Sequence, residues 1–324
     1  MQKILFIRFS SIGDIVLTSP VVRCVKNQTA AKIHFLTKEK YVAILDANPH
    51  IDRVITLKTN LQEVLTELRF QKYNCIIDLH NNFRSLWIKI NLGLSSYTVQ
   101  KESLKKHLLI YMGINILKNH VVDRYFNTIK KLSIFNDHKG LDYFIPEKTK
   151  VDFDTNQRFI AWCIGGSYNQ KTLSAEQVVN VCNFLSLPVV LLGGIQEKEK
   201  AAHIVSNSSN ASIYDFCGNL SLHESAYLIK NSMLVLTNDT GLMHIAAALQ
   251  KPIISFWGCT KPVLGFTPYI TKSQCVNLVF NPQKRPCSKH GNMCRIQKEG
   301  CVKKIDYRTI LKTISDFNQN YTIH

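Results

Sequence analysis

The sequence predicts an α/β protein made of two βα domains, each on an open, mainly parallel sheet. Three observations carry this expectation. Short β-branched, apolar runs alternate with amphipathic stretches of helical period along most of the chain. The rhythm breaks at 137–156, where Gly140, Pro146 and the polar run Glu147-Lys148-Thr149-Lys150 mark a linker. The 324 residues exceed what one core of usual size accommodates. The expected domains are 1–150 and 151–324, with the last helix free to pack back on the first domain.

In the first domain, strands are expected at Lys3–Phe9, Lys32–Leu36, Arg53–Leu57 and Tyr73–Leu79. A helix is expected over Ile15–Lys26, kinked or restarted by Pro20. In the second, the expected strands are Arg158–Cys163, Pro188–Leu192, Met233–Thr237 and Pro252–Trp257. The expected helices are Ala175–Leu185, Glu197–Ser206, Leu222–Lys230, Leu242–Leu249 and Asp306–Phe317. Open α/β sheets bind ligands at the carboxyl ends of their strands, so a cleft between the domains is the expected site.

Composition narrows the function classes. Apolar residues are 45% and charged residues 19%, which excludes a disordered or fibrous chain. Forty Lys and Arg against 23 Asp and Glu give a net charge of +17, which calls for an anionic partner. No apolar run reaches the roughly 18–20 residues of a membrane span. Arg8 interrupts the first apolar run too early for a signal peptide, so a cytosolic protein is expected. Of ten cysteines, seven, Cys24, Cys75 and Cys163 among them, lie in apolar segments and read as small hydrophobes. Cys287, Cys294 and Cys301 are spaced with six residues between neighbours, beside His290. Three thiols and a histidine could hold zinc, but there is no C-x-x-C pair. Reduced thiols are the preferred reading, and a metal site or disulfide the lesser one.

Four segments could carry chemistry. Ser10-Ser11-Ile12-Gly13-Asp14 joins the first strand to a helix. There Gly13 allows a sharp turn, and Asp14 is either a helix cap or a general base facing the cleft. Gly165-Gly166-Ser167, with Lys171 four residues on, suits a phosphate-facing loop or a flexible loop with a solvated lysine. In Thr237-Asn238-Asp239-Thr240-Gly241-Leu242-Met243-His244, Asp239 or Thr240 can cap a helix whose free amides and dipole attract an anion. Gly241 permits close approach of a phosphate, and His244 is one turn in, either facing the ligand or lying in the core. Asp152-Phe153-Asp154 has a metal-binding spacing but falls in the linker and is set aside. Lys101, Lys105, Lys106 and His107 read as a solvated helix face or a contact for an anionic acceptor.

Together these segments resemble the ADP-heptose:lipopolysaccharide heptosyltransferases of glycosyltransferase family nine. The resemblance rests on Ser10-Ser11-x-Gly13-Asp14 with Pro20, and on Thr237-Asn238-Asp239-Thr240-Gly241-x-x-His244. It continues through Pro252, Phe256-Trp257-Gly258-x-Thr260-x-Pro262, and Arg285-Pro286-Cys287 onward. The stretch Cys163–Ser174 departs from the family, which often has His-Pro-Gly before the lysine and Trp-Pro after it.

The resemblance implies a GT-B fold, two Rossmann-like domains flanking the active site, and an inverting, metal-independent transfer from an ADP-sugar with no cofactor. It implies Asp14 as base, with Ser10, Ser11 and Gly13 forming the acceptor or phosphate loop. It implies Lys171 on the donor phosphates and Asp239, Thr240, Gly241 and His244 at the donor-binding helix end. Glu197 would bind ribose, with Glu199 as the alternative register, and Gly218-Asn219-Leu220 would line the adenine pocket. The implied partners are a nucleotide-sugar donor, a phosphorylated glycolipid acceptor and, peripherally, an anionic membrane surface at the inner face of the inner membrane. Nucleic acid is not among them, since the charge is dispersed and no reading motif appears. A sugar-nucleotide epimerase of the same fold, or a transferase using another nucleotide sugar, remains the alternative.

Overall fold

The computed structural model describes residues 2–57 and 59–321. The chain divides into two compact units: Met1–Glu102 with Lys118–Glu147, and Ser103–Leu117 with Lys148–His324. Each is organised around its own sheet, and both sheets are parallel throughout.

In the first unit the strands are β1 (Lys3–Ile7), β2 (Lys32–Lys38), β3 (Arg53–Leu57), β4 (Cys75–Asp78) and β5 (Ser96–Thr98), in the order β3-β2-β1-β4-β5. The central β1 buries Ile4, Leu5, Phe6 and Ile7 in succession because helices cover both faces of a parallel sheet. After β3 the chain returns to the other side of β1, so β1 and β4 lie at a topological switch point.

The second unit repeats this plan with β6 (Ile160–Cys163), β7 (Val189–Leu192), β8 (Ile213–Asp215), β9 (Leu234–Asn238), β10 (Ile253–Trp257) and β11 (Cys275–Val279). Their order is β11-β10-β9-β6-β7-β8, which puts the switch point between β6 and β9. The last helix, Tyr307–Tyr321, packs on helix Ala175–Cys182, and its Ile310, Ile314 and Phe317 enter the core of this unit. No helix among the described residues is long and apolar enough to cross a membrane.

Several local expectations are corrected. The helix expected over 15–26 begins earlier, at Ile12, and it does restart at Pro20: it is two helices, Ile12–Val16 and Ser19–Thr29, the second with Pro20 in its first turn, where a missing N–H costs nothing. Strands β5, β8 and β11 were not expected; β5 and β8 are short edge strands and β11 is a half-buried edge strand, so none has a fully buried apolar run. Lys106, expected to be solvated, is buried with its ammonium 5.2 Å from the Phe266 ring centroid. That pairing ties helix Ser103–His107 into the second unit.

The start of the expected linker is also fixed. Arg23, on helix Ser19–Thr29, donates to both carboxylate oxygens of Asp137 at 2.8 Å and to the Gly140 carbonyl at 2.9 Å, and pairs with Asp142. Its side chain is almost fully buried, so its charge requires these partners. The Arg23 hydrogen bond, partly opposed by burial, holds Asp137 down at about 2. Between that value and the ordinary aspartate value of roughly 4, the unfolded chain binds the extra proton. This stabilisation is therefore complete above the ordinary value and disappears as pH falls toward 2. Arg23→Met should cost about 3 kcal/mol by leaving two carboxylates uncompensated. Denaturant melts between pH 2 and 5 should show both that loss and a flatter acid-side slope than in the wild-type protein.

Candidate active site

At the switch point of the first unit, the turn after β1 gathers Arg8, Ser11 and Asp14. Ser11 is the N-cap residue of helix Ile12–Val16, and its N–H (3.2 Å) and hydroxyl (2.9 Å) donate to Asp14 Oδ2. Asp14 is thus the third helical residue and not the N-cap. Gly13 lies buried inside the helix without a positive φ, so it does not make the turn expected of it. Ser10 presents its carbonyl to Arg8 Nε at 2.7 Å. Arg8 Nη1 donates to the Leu79 carbonyl at 2.6 Å, and Nη2 reaches Asp14 Oδ1 at 2.8 Å. Burial alone would raise Asp14, but Arg8 and then the Ser11 donors hold it below the ordinary carboxylate range. The carboxylate is ionised at neutral pH, and its side chain keeps a quarter of its surface open.

Two further groups stand here that the sequence did not single out. His80 follows β4, with its ring 4.8 Å from that of Phe9. Burial, then Arg8 and Lys101, lowers it to about 4, so it is neutral at pH 7. Tyr125 is buried within electrostatic reach of Arg8 and Asp14, and burial pushes its hydroxyl up.

The switch point of the second unit holds the second cluster. Lys171 Nζ lies 2.7 Å from Asp239 Oδ2, and Thr260 Oγ1 donates to the same oxygen at 2.8 Å. Asp239 is nearly buried and both partners converge on it, so it holds Lys171 rather than capping the helix. Thr240 occupies the N-cap of helix Gly241–Ala248 with no side-chain cap bond. Gly241 is the first helical residue and lacks a positive φ. His244 is buried in the same helix, 4% exposed. Asn238 ties the two loops together, donating to the carbonyls of Ile164 (3.1 Å) and Gly165 (3.0 Å) and accepting from Leu173 N–H (3.3 Å).

The remaining expected residues surround the end of β7. Glu197 Oε2 accepts from Gly194 N–H at 2.8 Å, and a Cβ added at Gly165 would lie 3.1 Å from the Glu197 carboxyl carbon. Glu197 is half-buried between these loops, whereas Glu199 is exposed on helix Lys198–Asn207. Gly218 (φ +69°) donates to the Gly193 carbonyl at 2.9 Å, and a Cβ there would meet the Ile195 backbone at 2.8 Å. Asn219, exposed, and Leu220, half-buried, follow it in the chain. Lys200, not singled out by the sequence, donates to the Leu173 carbonyl at 2.5 Å, and burial lowers it to about 8. The one sequence signal for Thr260 was its position in the Phe256-Trp257-Gly258-x-Thr260 run.

The sequence matches glycosyltransferase family 9 (heptosyltransferase) over residues 61–297. It is 23% identical over 346 residues to lipopolysaccharide heptosyltransferase 1 of Campylobacter coli, covering 97% of this chain and 98% of that protein. It is 33% identical over 323 residues to lipopolysaccharide heptosyltransferase 2 of Escherichia coli K12, covering 87% and 90%. The structure of Escherichia coli ADP-heptose lps heptosyltransferase II superimposes with a TM-score of 0.75 at 19% identity, covering 99% of this chain and 100% of that one. Two parallel-sheet units and a family match across most of the length agree: the chain belongs to glycosyltransferase family 9, the heptosyltransferases.

Proposed function

We propose that the protein transfers a heptose, or a closely related sugar, from an ADP-sugar to a phosphorylated lipopolysaccharide-core acceptor with inversion at the anomeric carbon. The observation that carries this reading is the end of helix Gly241–Ala248. Its Thr240 side chain makes no cap bond, and Lys171 is held beside it by Asp239. The first amides of any helix lack intrahelical partners, so with the dipole and Lys171 they suit a diphosphate. The similarity to lipopolysaccharide heptosyltransferases, one of them an ADP-heptose lps heptosyltransferase, supports this donor and acceptor.

In this reading Lys171, Thr240, Gly241 and His244 form the diphosphate end, and Asp239 is its brace. Glu197 hydrogen-bonds the ribose, and Gly218, Asn219 and Leu220 line the adenine. Asp14 takes the proton of the acceptor hydroxyl as its oxygen attacks the anomeric carbon and the bond to ADP breaks. Arg8 and Ser11 keep Asp14 ionised and oriented. Developing charge on the leaving diphosphate is met by amides and an ammonium group, so Mg2+ or Mn2+ is not needed there. Binding to an anionic membrane surface is proposed to be peripheral, carried by the net charge of +17.

Asp14→Asn should lower transfer about 100- to 10,000-fold while ADP affinity, read by calorimetry, is unchanged. Wild-type turnover would return Asp14 to a capping role. Because Arg8 stabilises the ionised form, Arg8→Gln should move the acid limb of kcat/KM to higher pH, toward the ordinary value near 4.

Gly291 has φ +82°, and a Cβ there would lie 2.3 Å from Lys171 Cγ. Gly291→Ala should therefore dislodge Lys171, cost about 2–4 kcal/mol in stability and weaken ADP binding. Gly194→Ala, whose nearest neighbour is Glu197 Oε2 at 3.3 Å, should cost less than about 1 kcal/mol. Flotation with vesicles containing anionic lipid should show binding at low salt that falls steeply toward about 0.15 M. Binding indifferent to salt would refute the electrostatic part of the reading.

A further inference from the structure

The same edge of the second sheet carries four thiols that the transfer chemistry does not use. Cys259 follows β10 and Gly258, Cys287 and Cys294 lie in the irregular segment after β11, and Cys301 opens the short turn Cys301–Lys304. Their sulfurs all lie within 4.8 Å of one another, with Cys259–Cys301 and Cys287–Cys294 each at 3.9 Å. Cys259, Cys287 and Cys301 are buried and Cys294 is partly so. The sequence expectation is corrected twice: Cys259 is not an isolated hydrophobe, and it takes the fourth place where His290 was considered.

We propose that Cys259, Cys287, Cys294 and Cys301 hold one zinc ion in a closed tetrahedral tetrathiolate site that braces the donor-phosphate end of this unit. The bracing clause rests on the donor reading above; the metal site does not.

The argument is geometric first. Zinc–sulfur bonds of about 2.3 Å in a tetrahedron put neighbouring sulfurs about 3.8 Å apart. The observed 3.9 Å matches this and is far from the 2.05 Å or so of a disulfide. A tetrahedral all-sulfur donor set selects zinc or iron over harder ions, and four protein ligands leave no open position for catalysis. Backbone donors support the thiolates. Ile296 N–H reaches Cys294 Sγ at 3.4 Å, and the amides of Cys301 and Arg295 serve Cys259 and Cys287. Binding converts four thiols to thiolates and releases up to four protons, leaving a net charge of −2 on the site. Buried Lys261 lies within electrostatic reach of Cys259, Cys287 and Cys301 to offset part of that charge.

The surroundings say what the site would brace. Residues 280–300 contain no helix or strand among the described residues. The segment nevertheless lies hard against the phosphate end. A Cβ at Gly258 would meet Val302 N at 2.4 Å, and one at Gly300 (φ +105°) would meet the Gln170 carbonyl at 2.4 Å. Cys259 Sγ itself contacts the Gln170 carbonyl at 3.4 Å, and its neighbour Thr260 donates to Asp239. One ion would thus staple an otherwise irregular segment onto Gln170-Lys171 and Thr260.

The test uses the full chain purified under reducing conditions without chelator. Mass-spectrometric metal analysis should find about one zinc per chain. A mercurial thiol reagent should release that zinc in step with four thiols. Protein stripped of metal and loaded with Co2+ should show the intense visible absorption of a tetrahedral tetrathiolate. Cys294→Ser should retain less than about a tenth of the zinc, while Cys275→Ser, outside the cluster, should retain it all. If the bracing holds, Cys294→Ser should also weaken ADP binding about fivefold or more.

A reduced chain that holds no zinc and takes up no Co2+ would overturn the site, as would full zinc in Cys294→Ser. Disulfides Cys259–Cys301 and Cys287–Cys294 in anaerobically handled protein would overturn it too. One iron per chain in place of zinc would support the four-thiolate site and overturn its assignment to zinc. Zinc loss with unchanged ADP affinity would overturn the bracing alone. Normal zinc in a wild-type protein that binds no ADP would overturn the donor reading and leave the metal site standing.

Discussion

Parallel strand register is the constraint on which the rest of this structure depends. In the second sheet Cys163 is in register with Leu192 and Thr237, and Phe256 with Asn238. Four strands therefore end at one edge, and the segments that follow them carry Lys171, Glu197, Asp239 and Cys259-Thr260. None of these is near another in sequence. The strand order then selects among them. Loops diverge where the order reverses, between β6 and β9, and Lys171 and Asp239 meet there. The first sheet obeys the same rule between β1 and β4, where Arg8, Asp14 and His80 gather.

Two carboxylates with cationic partners stand at these two points, and their surroundings fit them for different work. Asp239 spends one oxygen on both Lys171 and Thr260 and is nearly buried. In the proposed donor site, a carboxylate beside a diphosphate would be tolerable only when its charge is taken up, and an ammonium group has three donors to share between the two. Asp239 is thereby suited to aim Lys171. Asp14 is also paired, but it remains a quarter exposed, and a carboxylate has about four acceptor positions. In the proposed mechanism it would take an acceptor hydroxyl without releasing Arg8 or Ser11.

What was legible in the sequence follows from how local each signal is. Alternation of apolar runs revealed the interior strands, because a parallel strand buried on both faces reads as an unbroken apolar run. The edge strand β3 was legible as well, but the edge strands β5, β8 and β11 lack a buried run and escaped. Asp14, Lys171 and the Asp239–His244 segment were legible because each follows a strand directly or within one loop. Arg8, His80 and Tyr125 were not, since their environment comes from three separate segments and their charge states from burial. The cysteines show the limit best. Spacing exposed three of them, but the fourth sits on a strand end 28 residues earlier than Cys287 and reads as core. Only the sheet brings Cys259 to the others.

The net charge illustrates how a compositional argument changes once side chains have positions. A charge of +17 suggests a surface field, but many cations are engaged inside the fold. Arg8, Arg23, Lys89 and Lys171 neutralise carboxylates. Lys200 and Lys261 donate to backbone carbonyls of loops that have no regular ladder to satisfy them, and Arg285 and Arg295, from the irregular segment, donate to the Tyr111 and Ile110 carbonyls in the last turn of the helical segment Leu108–Met112. A long basic side chain reaches such carbonyls while its stem packs on apolar neighbours, which suits it to irregular segments like 280–300. Part of the excess of Lys and Arg is therefore a consequence of building the loops at the strand ends. The field available to an anionic partner belongs to the cations that remain exposed, so its strength is set by their arrangement rather than by the formal total.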